Sequence, residues 1–580
     1  MRRLLAVYLR PYWRSIVVIV VLLLVQAIAN LYLPTLNARI INNGVVTGDT
    51  GYIATMGGYM LLVALLQTAC AVASTYLAAR SGMALGRDVR TAFFRKVEGF
   101  SQSEINRFGT PSLITRNTND IQQVQMMVTI GLSLMIFAPM MLIGGLYMAL
   151  RQDVTLSLTL AVIVPAMIAL LGVIIWRAVP LFRSMQKKID RINQVMRETL
   201  TGVRVIRAFA RSDYEERRFE ESNKDLTATG LSVMRLFALM FPALFAILNF
   251  STVAIMYFGG RRVDSGAMQF GDLTAFIMYV MQILFAVLMS TMLAAFIPRA
   301  SASGARIQEV LDVEPAIGDP ERPAVAAGAD GDLKGLIEFK DVEFRYPGAE
   351  QPILTNISFT AAPGRTTAIV GSTGSGKSTL ISLIPRLYDV TSGSITIDGI
   401  DIREMNRTDL WRGIGLVPQK AFLFTGSVAS NLRYGDEAAT DEELWHALSI
   451  AQGKDFVEAM AAGLEEPITQ GGANLSGGQR QRLAIARALV KKADVYVFDD
   501  SLSALDFKTD AQLRAALKRE ITDSTVLVVA QRVSSIMHAD QIVVLDEGTI
   551  AGLGTHEELL KTCETYQEIV YSQLSAEEAA

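Results

Sequence analysis

Six long apolar runs in the N-terminal half limit what this chain can fold into more than any other feature. The first lies from Ser15 to about Leu36, behind a short segment carrying Arg2, Arg3, Arg10 and Arg14. A secretory signal would be shorter and would end at a small-residue cleavage site, so this run is expected to be a retained span. Five more follow at about 52–79, 126–150, 154–176, 231–258 and 273–298. Each is long enough to cross a bilayer as a helix, where only internally hydrogen-bonded backbone is tolerated. Six such runs, almost free of charge, do not suit a soluble core, and the positive mean hydropathy of +0.32 agrees. At 580 residues the chain needs more than one core.

Basic residues alternate between the connecting segments. Seven Lys or Arg lie between Arg80 and Arg116 and twelve between Arg177 and Lys224, whereas 42–51, 151–153 and 259–272 hold none, one and two. The basic segments are expected on the cytoplasmic side, with both the N-terminus and the C-terminal half. Both are polar and poor in Pro and Gly, as helices extended beyond the membrane would be. Breaks at Phe108-Gly109-Thr110-Pro111 and near Arg211-Ser212-Asp213-Tyr214 mark places where a crosswise helix could meet a neighbouring domain.

From Val313 to Gly335 the composition turns to Pro, Gly, Ala and Asp, which reads as a linker. The expected organisation is an all-α membrane domain over 1–312, a linker over 313–335 and an α/β domain over 336–580. The α/β domain carries Gly371-Ser372-Thr373-Gly374-Ser375-Gly376-Lys377-Ser378 between an apolar strand and a helix start that continues at Thr379. A strand, a glycine-rich turn and a helix in that order direct backbone N–H groups at an anion, so this P-loop is expected to hold the phosphates of ATP. Lys377 adds a point charge, and the Ser378 hydroxyl is placed to ligate Mg²⁺.

Further motifs follow: Gly415-Leu416-Val417-Pro418-Gln419, Leu475-Ser476-Gly477-Gly478-Gln479 and Val495-Tyr496-Val497-Phe498-Asp499. With these the chain resembles an ATP-binding cassette exporter half, six spans fused to one nucleotide-binding domain. The resemblance implies that Tyr346 stacks on adenine, that Gln419 ligates Mg²⁺ and senses the membrane domain, and that Asp499 holds Mg²⁺. It implies that Ser476, Gly477, Gly478 and Gln479 act on ATP held by a second cassette, and that Asp506 lies in a loop crossing between the two. Two cassettes are needed and this chain has one, so a second half-transporter is an expected partner.

Two positions depart from the family pattern. Where it has Glu after the Walker B Asp, this chain has Asp500, one methylene shorter and less able to reach an attacking water. Where it has a switch His, this chain has Gln531, which hydrogen-bonds but cannot become cationic. With the P-loop, Asp499 and the signature intact, this resembles the degenerate-site subunit of heterodimeric multidrug or lipid exporters in the cytoplasmic membrane. The alternatives are a homodimer with slow hydrolysis, an importer on the same scaffold, and a regulatory ATP-sensing half.

The spans hold few polar residues, Gln26, Asn30, Gln67, Asn249 and Gln282, which are expected to face the bundle interior. Their many Met residues suit packing among helices and lipid, or an adaptable cavity for amphiphilic cargo. No acidic residue sits centrally in a span, which leaves selection for cations unsupported. A net charge of −3 offers no basic surface to nucleic acid. Cys70 and Cys563 fit no metal or redox spacing.

Overall fold

The computed structural model describes residues 1–294, 296–324 and 334–574. Residues 325–333 of the expected linker lie outside that set. The described chain divides into two compact units: Met1–Glu98 with Thr110–Val313, and Gly99–Gly109 with Glu314 onward.

The first unit is helical. Among the described residues, six helical stretches are long and apolar enough to cross a membrane: Arg2–Val45, Thr50–Glu98, Thr110–Gln152, Val154–Thr201, Ser212–Asp264 and Phe270–Leu311. Every apolar run read from the sequence falls inside one of them. At 1.5 Å per residue the 49-residue helix Thr50–Glu98 is roughly 70 Å long, more than twice the hydrocarbon thickness of a bilayer. Close packing rests partly on small residues. A Cβ on Gly145 would come within 2.8 Å of Ile283 Cγ1, so only glycine lets these two helices approach. At one end, buried Asp153 accepts from Arg262 at 2.6 Å. Elsewhere, buried Asp120 pairs with Arg306 and accepts from Ser303.

Polar residues of the spans divide. Gln282 donates to Asn30 Oδ1 at 3.0 Å inside the bundle, as expected, whereas Asn249 is exposed on its helix. Asn249 lies on a stretch of Ser212–Asp264 where Phe245, Phe250 and Val253 are also exposed, so its own chain offers it no interior.

In the second unit, six strands form a sheet in the order Thr549–Gly554, Gln541–Asp546, Thr366–Gly371, Thr525–Val529, Val495–Asp499 and Ile414–Val417. All neighbouring pairs are parallel except the first. Parallel strands are covered on both faces, which explains their near-continuous apolar character. Ala368, Val370, Phe498 and Val528 belong to one core, and the alternating Ile369, Val497, Leu527 and Val529 to the other. A second sheet, antiparallel throughout, runs Leu354–Ala361, Ile337–Phe344, Ser392–Ile397 and Ile400–Asp401.

The first break read from the sequence is a sharp one, at Gly109 with φ of 74°. It closes the short helix Gln102–Phe108, whose residues cluster with the second unit. A capping box of Ser101 and Glu104 starts that helix. Glu104 also accepts from Ala316 N at 3.1 Å, and Asn106 donates to Tyr388 at 3.1 Å. The second break, at Ala210 with φ of 51°, ends the short helix Val203–Ala208. The described part of the Pro- and Gly-rich stretch is held by contacts: Arg407 pairs with Asp319 at 3.1 Å, and Ala324 N donates to Glu404 O.

Candidate nucleotide site

Strand register assembles the site. Val529 lies level with Ile369 on one side and with Asp499 on the other, so three parallel strands end together. The loops leaving those ends carry the P-loop, Asp499 with Asp500, and Gln531. In parallel α/β sheets this edge is where ligands bind.

The P-loop turns through Gly374 and Gly376, at φ of 90° and 98°. Gly376 is doubly required, since a Cβ there would also meet Leu354 Cδ2 at 2.7 Å. The helix Lys377–Leu383 follows at once. Lys377 Nζ donates to Gly371 O at 2.9 Å, Ser372 O at 2.6 Å and Ser375 Oγ at 3.4 Å. Burial pulls its pKa below the ordinary lysine value, with Asp500 and Asp499 opposing. Ser378 Oγ donates to Asp499 Oδ1 at 3.1 Å. Burial pushes the Asp499 carboxyl up, with the Ser378 hydrogen bond working against it.

A cavity of about 550 Å³ opens on this loop. It is lined by Tyr346 and by Gly371, Ser372, Thr373, Gly374, Gly376, Lys377, Ser378 and Thr379, with Gln419 and Gln531. Of the nucleotide-binding residues read from the sequence only Ser375 is set back, 2 % exposed and bonded through its N–H to Ser372 O. Tyr346 places its hydroxyl 3.0 Å from Thr379 Oγ1 and packs edge-on against Tyr388. Behind the opening, the buried Asp500 carboxylate accepts at one oxygen from two amides, Gln531 Nε2 at 2.6 Å and Gln419 Nε2 at 3.1 Å. The Asp500 backbone is left-handed, at φ of 44°.

The signature residues lie elsewhere. Ser476 caps the helix Gly477–Val490 in a capping box with Gln479, and neither they nor the glycines line the cavity. A Cβ on Gly477 would meet nothing within 4 Å, so that helix start is open. Asp506 is likewise exposed, its carboxylate capping the helix Phe507–Glu520 through Thr509. The sequence reading missed Ile569, Ser572 and Gln573, which line the cavity from the end of the described chain. Gln573 donates to Gln531 O at 2.8 Å and accepts from Val533 N at 2.9 Å. No motif marks these residues, and nothing local distinguishes them from an ordinary helix end.

A half-buried ammonium surrounded by neutral oxygens and a partly buried carboxylate bonded to a hydroxyl fit a phosphate chain and a divalent cation respectively. Mg²⁺ would therefore be held from Ser378 and Asp499, and Gln419, the third ligand read from the sequence, lines the same cavity with its amide nitrogen on Asp500.

Known proteins resemble this chain along nearly its whole length. Residues 16–287 match the ABC transporter transmembrane region, and residues 354–503 match the ABC transporter family. The chain is 49 % identical over 569 residues to an uncharacterized ABC transporter ATP-binding protein of Mycobacterium tuberculosis, covering 98 % of this chain and 97 % of that one. It is 32 % identical over 570 residues to the ATP-dependent lipid A-core flippase of Thiobacillus denitrificans, covering 98 % and 97 %. A solved structure of a bacterial Atm1-family ABC exporter with ATP bound shares the fold, with a TM-score of 0.78 at 24 % identity over 97 % of this chain and 99 % of that one. The chain thus belongs to the ATP-binding cassette transporter family, as a multi-pass membrane half-transporter of the exporter fold with its own ATPase domain.

Proposed function

We propose that this chain is one subunit of an ATP-driven exporter of amphiphilic compounds, lipids or drugs, and that its own site holds ATP more readily than it hydrolyses it. It lends its signature residues Ser476 to Gln479 to the competent site of a second, different half-transporter. The observation that carries this reading is the Asp500 carboxylate, short by one methylene and engaged by the amides of Gln419 and Gln531.

Lys377 and the P-loop N–H groups bind the phosphates, and Tyr346 offers its ring to the base. Ser378 and Asp499 would hold the metal, with Gln419 beside them. When bound, Mg²⁺ neutralises charge on the phosphate oxygens during transfer. A base must reach within about 3 Å of the proton it takes. Asp500 begins farther back than a Glu would, and one of its two oxygens is already engaged by the Gln419 and Gln531 amides. Gln531 donates a neutral hydrogen bond where a histidine could place a positive charge on the outer phosphate.

Support for a second subunit comes from surfaces the single chain leaves open. The signature helix start is exposed, Asn249 is exposed within a span, and the short helix at Val203–Ala208 presents Val205 and then Phe209 at 61 % and 74 % exposure. The lipid A-core flippase relatives support an amphiphilic cargo. Basic-residue alternation supports a cytoplasmic ATPase domain and N-terminus in the cytoplasmic membrane.

The test is the ATPase rate of the purified chain in lipid nanodiscs, alone and with candidate partner halves. The expected result is slow turnover alone and fast turnover only with a partner that carries Glu and His at the matching positions. A rate of about 1 s⁻¹ or more from the chain by itself, stimulated by an amphiphile, would establish the homodimer instead.

A further inference from the structure

Within the membrane unit a cavity of about 430 Å³ lies between four of the long helices, within the size range of small-ligand sites. Its walls are mainly apolar, with Phe137, Met141, Phe285 and Met289 among them, and adaptable methionine is well suited to a variable hydrocarbon body. Two of its polar groups share one character. Gln26 Oε1 and Gln282 Oε1 are buried without a hydrogen-bond partner, and both residues line the cavity. The orientation of Gln282 follows from its bonds, because Nε2 donates to both the Oδ1 and the backbone oxygen of Asn30 and so leaves Oε1 unmatched. Two of the three lining hydroxyls are spent on their own helices, since Ser74 donates to Ala71 O and Ser133 to Thr129 O, and Thr75 supplies the third. Among the described residues, no Asp, Glu, Lys or Arg contributes to the lining.

We infer that this cavity is a binding site for a neutral amphiphile whose polar end carries hydrogen-bond donors, hydroxyl or amide N–H, received by Gln26 and Gln282. The inference rests on the exporter reading above and narrows its cargo class. An unmatched amide oxygen in a low-dielectric interior is costly until a donor reaches it, which makes donors the complementary group. A quaternary ammonium has no N–H to give and would meet no counter-charge here, although Phe137 and Phe285 could stack on it. The two head-group chemistries therefore separate cleanly in one experiment.

The probe is a diazirine-bearing 1-monolauroylglycerol, with diazirine-bearing dodecyltrimethylammonium as the contrasting arm. Both are crosslinked to the full chain in nanodiscs without nucleotide, and the labelled peptides are mapped. Monolauroylglycerol is expected to label 133–141 and 281–289 saturably, and the ammonium probe to need at least about tenfold more to do so. Gln26→Leu removes an oxygen that bonds to nothing in the protein, so it is expected to raise the thermal midpoint while weakening monolauroylglycerol labelling about tenfold. Ala138→Phe fills the space and is expected to abolish labelling, with ATP binding unchanged in both variants. Labelling unaltered by both substitutions, saturation by the ammonium probe at equal concentration, or crosslinks confined to other helices would each overturn the site. Those outcomes leave the exporter reading standing, because that reading fails separately, on absence of ATP-dependent uptake into inverted vesicles.

Discussion

Gln531 donates its side-chain amide to Asp500 at 2.6 Å, so the two residues read from the sequence as departures at the catalytic and switch positions are bonded to each other. Because the two are bonded, replacing one changes the contacts of the other. Asp500→Glu alone is expected to raise ATP turnover by the purified chain only modestly. Asp500→Glu with Gln531→His is expected to raise it by about a hundredfold, in the range of a positioned general base. Steady-state phosphate release by the two variants and the parent chain checks this. Equal rates in all three would mean that hydrolysis is limited elsewhere.

Gln573 brackets the Gln531 segment with two hydrogen bonds, one to Gln531 O and one from Val533 N. Its side chain is exposed, so Gln573→Ala is expected to cost only about 1 kcal/mol locally. Amide hydrogen exchange at 531–535 should accelerate severalfold while the strand Thr525–Val529 stays protected. Glu at the same position keeps the acceptor for Val533 N–H but loses the donor to Gln531 O, and should give an intermediate rate.

A contact path leads from the short helix Gln102–Phe108 to the P-loop. Asn106 donates to the Tyr388 hydroxyl, Tyr388 meets the Tyr346 ring edge-on at 5.3 Å, and the Tyr346 hydroxyl lies 3.0 Å from Thr379. Groups in one chain of contacts couple by about 0.5–3 kcal/mol. Asn106→Ala and Tyr346→Phe, singly and together, are expected to change ATP affinity non-additively in a double-mutant cycle. Additive effects would confine the role of Asn106 to docking its helix.

Glu104 links that same helix to the start of the ATPase unit. Burial raises its carboxyl, but hydrogen bonds from Ser101 and Ala316 outweigh it and hold the pKa below the ordinary 4.5. A depressed carboxylate stabilises the fold above its unfolded value and loses that contribution as pH falls through the folded one. Glu104→Gln should therefore lower the thermal midpoint most near about pH 6.5, with the gap narrowing below about pH 4. A pH-independent gap would assign the loss to packing alone.

Much of the site was legible because its parts are local. The P-loop needs two left-handed glycines, a lysine and a helix start within a few residues, and Gly374, Gly376 and Lys377 supply them in order. Membrane spans are equally local, since an uninterrupted apolar stretch has to satisfy its own backbone. Asn249 was read as interior because polarity alone says that a buried partner is needed, not which chain provides it. Ile569, Ser572 and Gln573 were missed because they reach the cavity only through the packing of the last helix.

Composition and order of residues by themselves determined that this chain spans a membrane six times and carries a phosphate-gripping loop, because both follow from backbone hydrogen bonding within a short stretch. Only the tertiary structure decided that Gln419 and Gln531, 112 positions apart, would converge on one carboxylate oxygen of Asp500. That convergence depends on the register of parallel strands joined by long crossovers, in which Val529 stands level with both Ile369 and Asp499, and no local pattern encodes register between segments so distant in the chain.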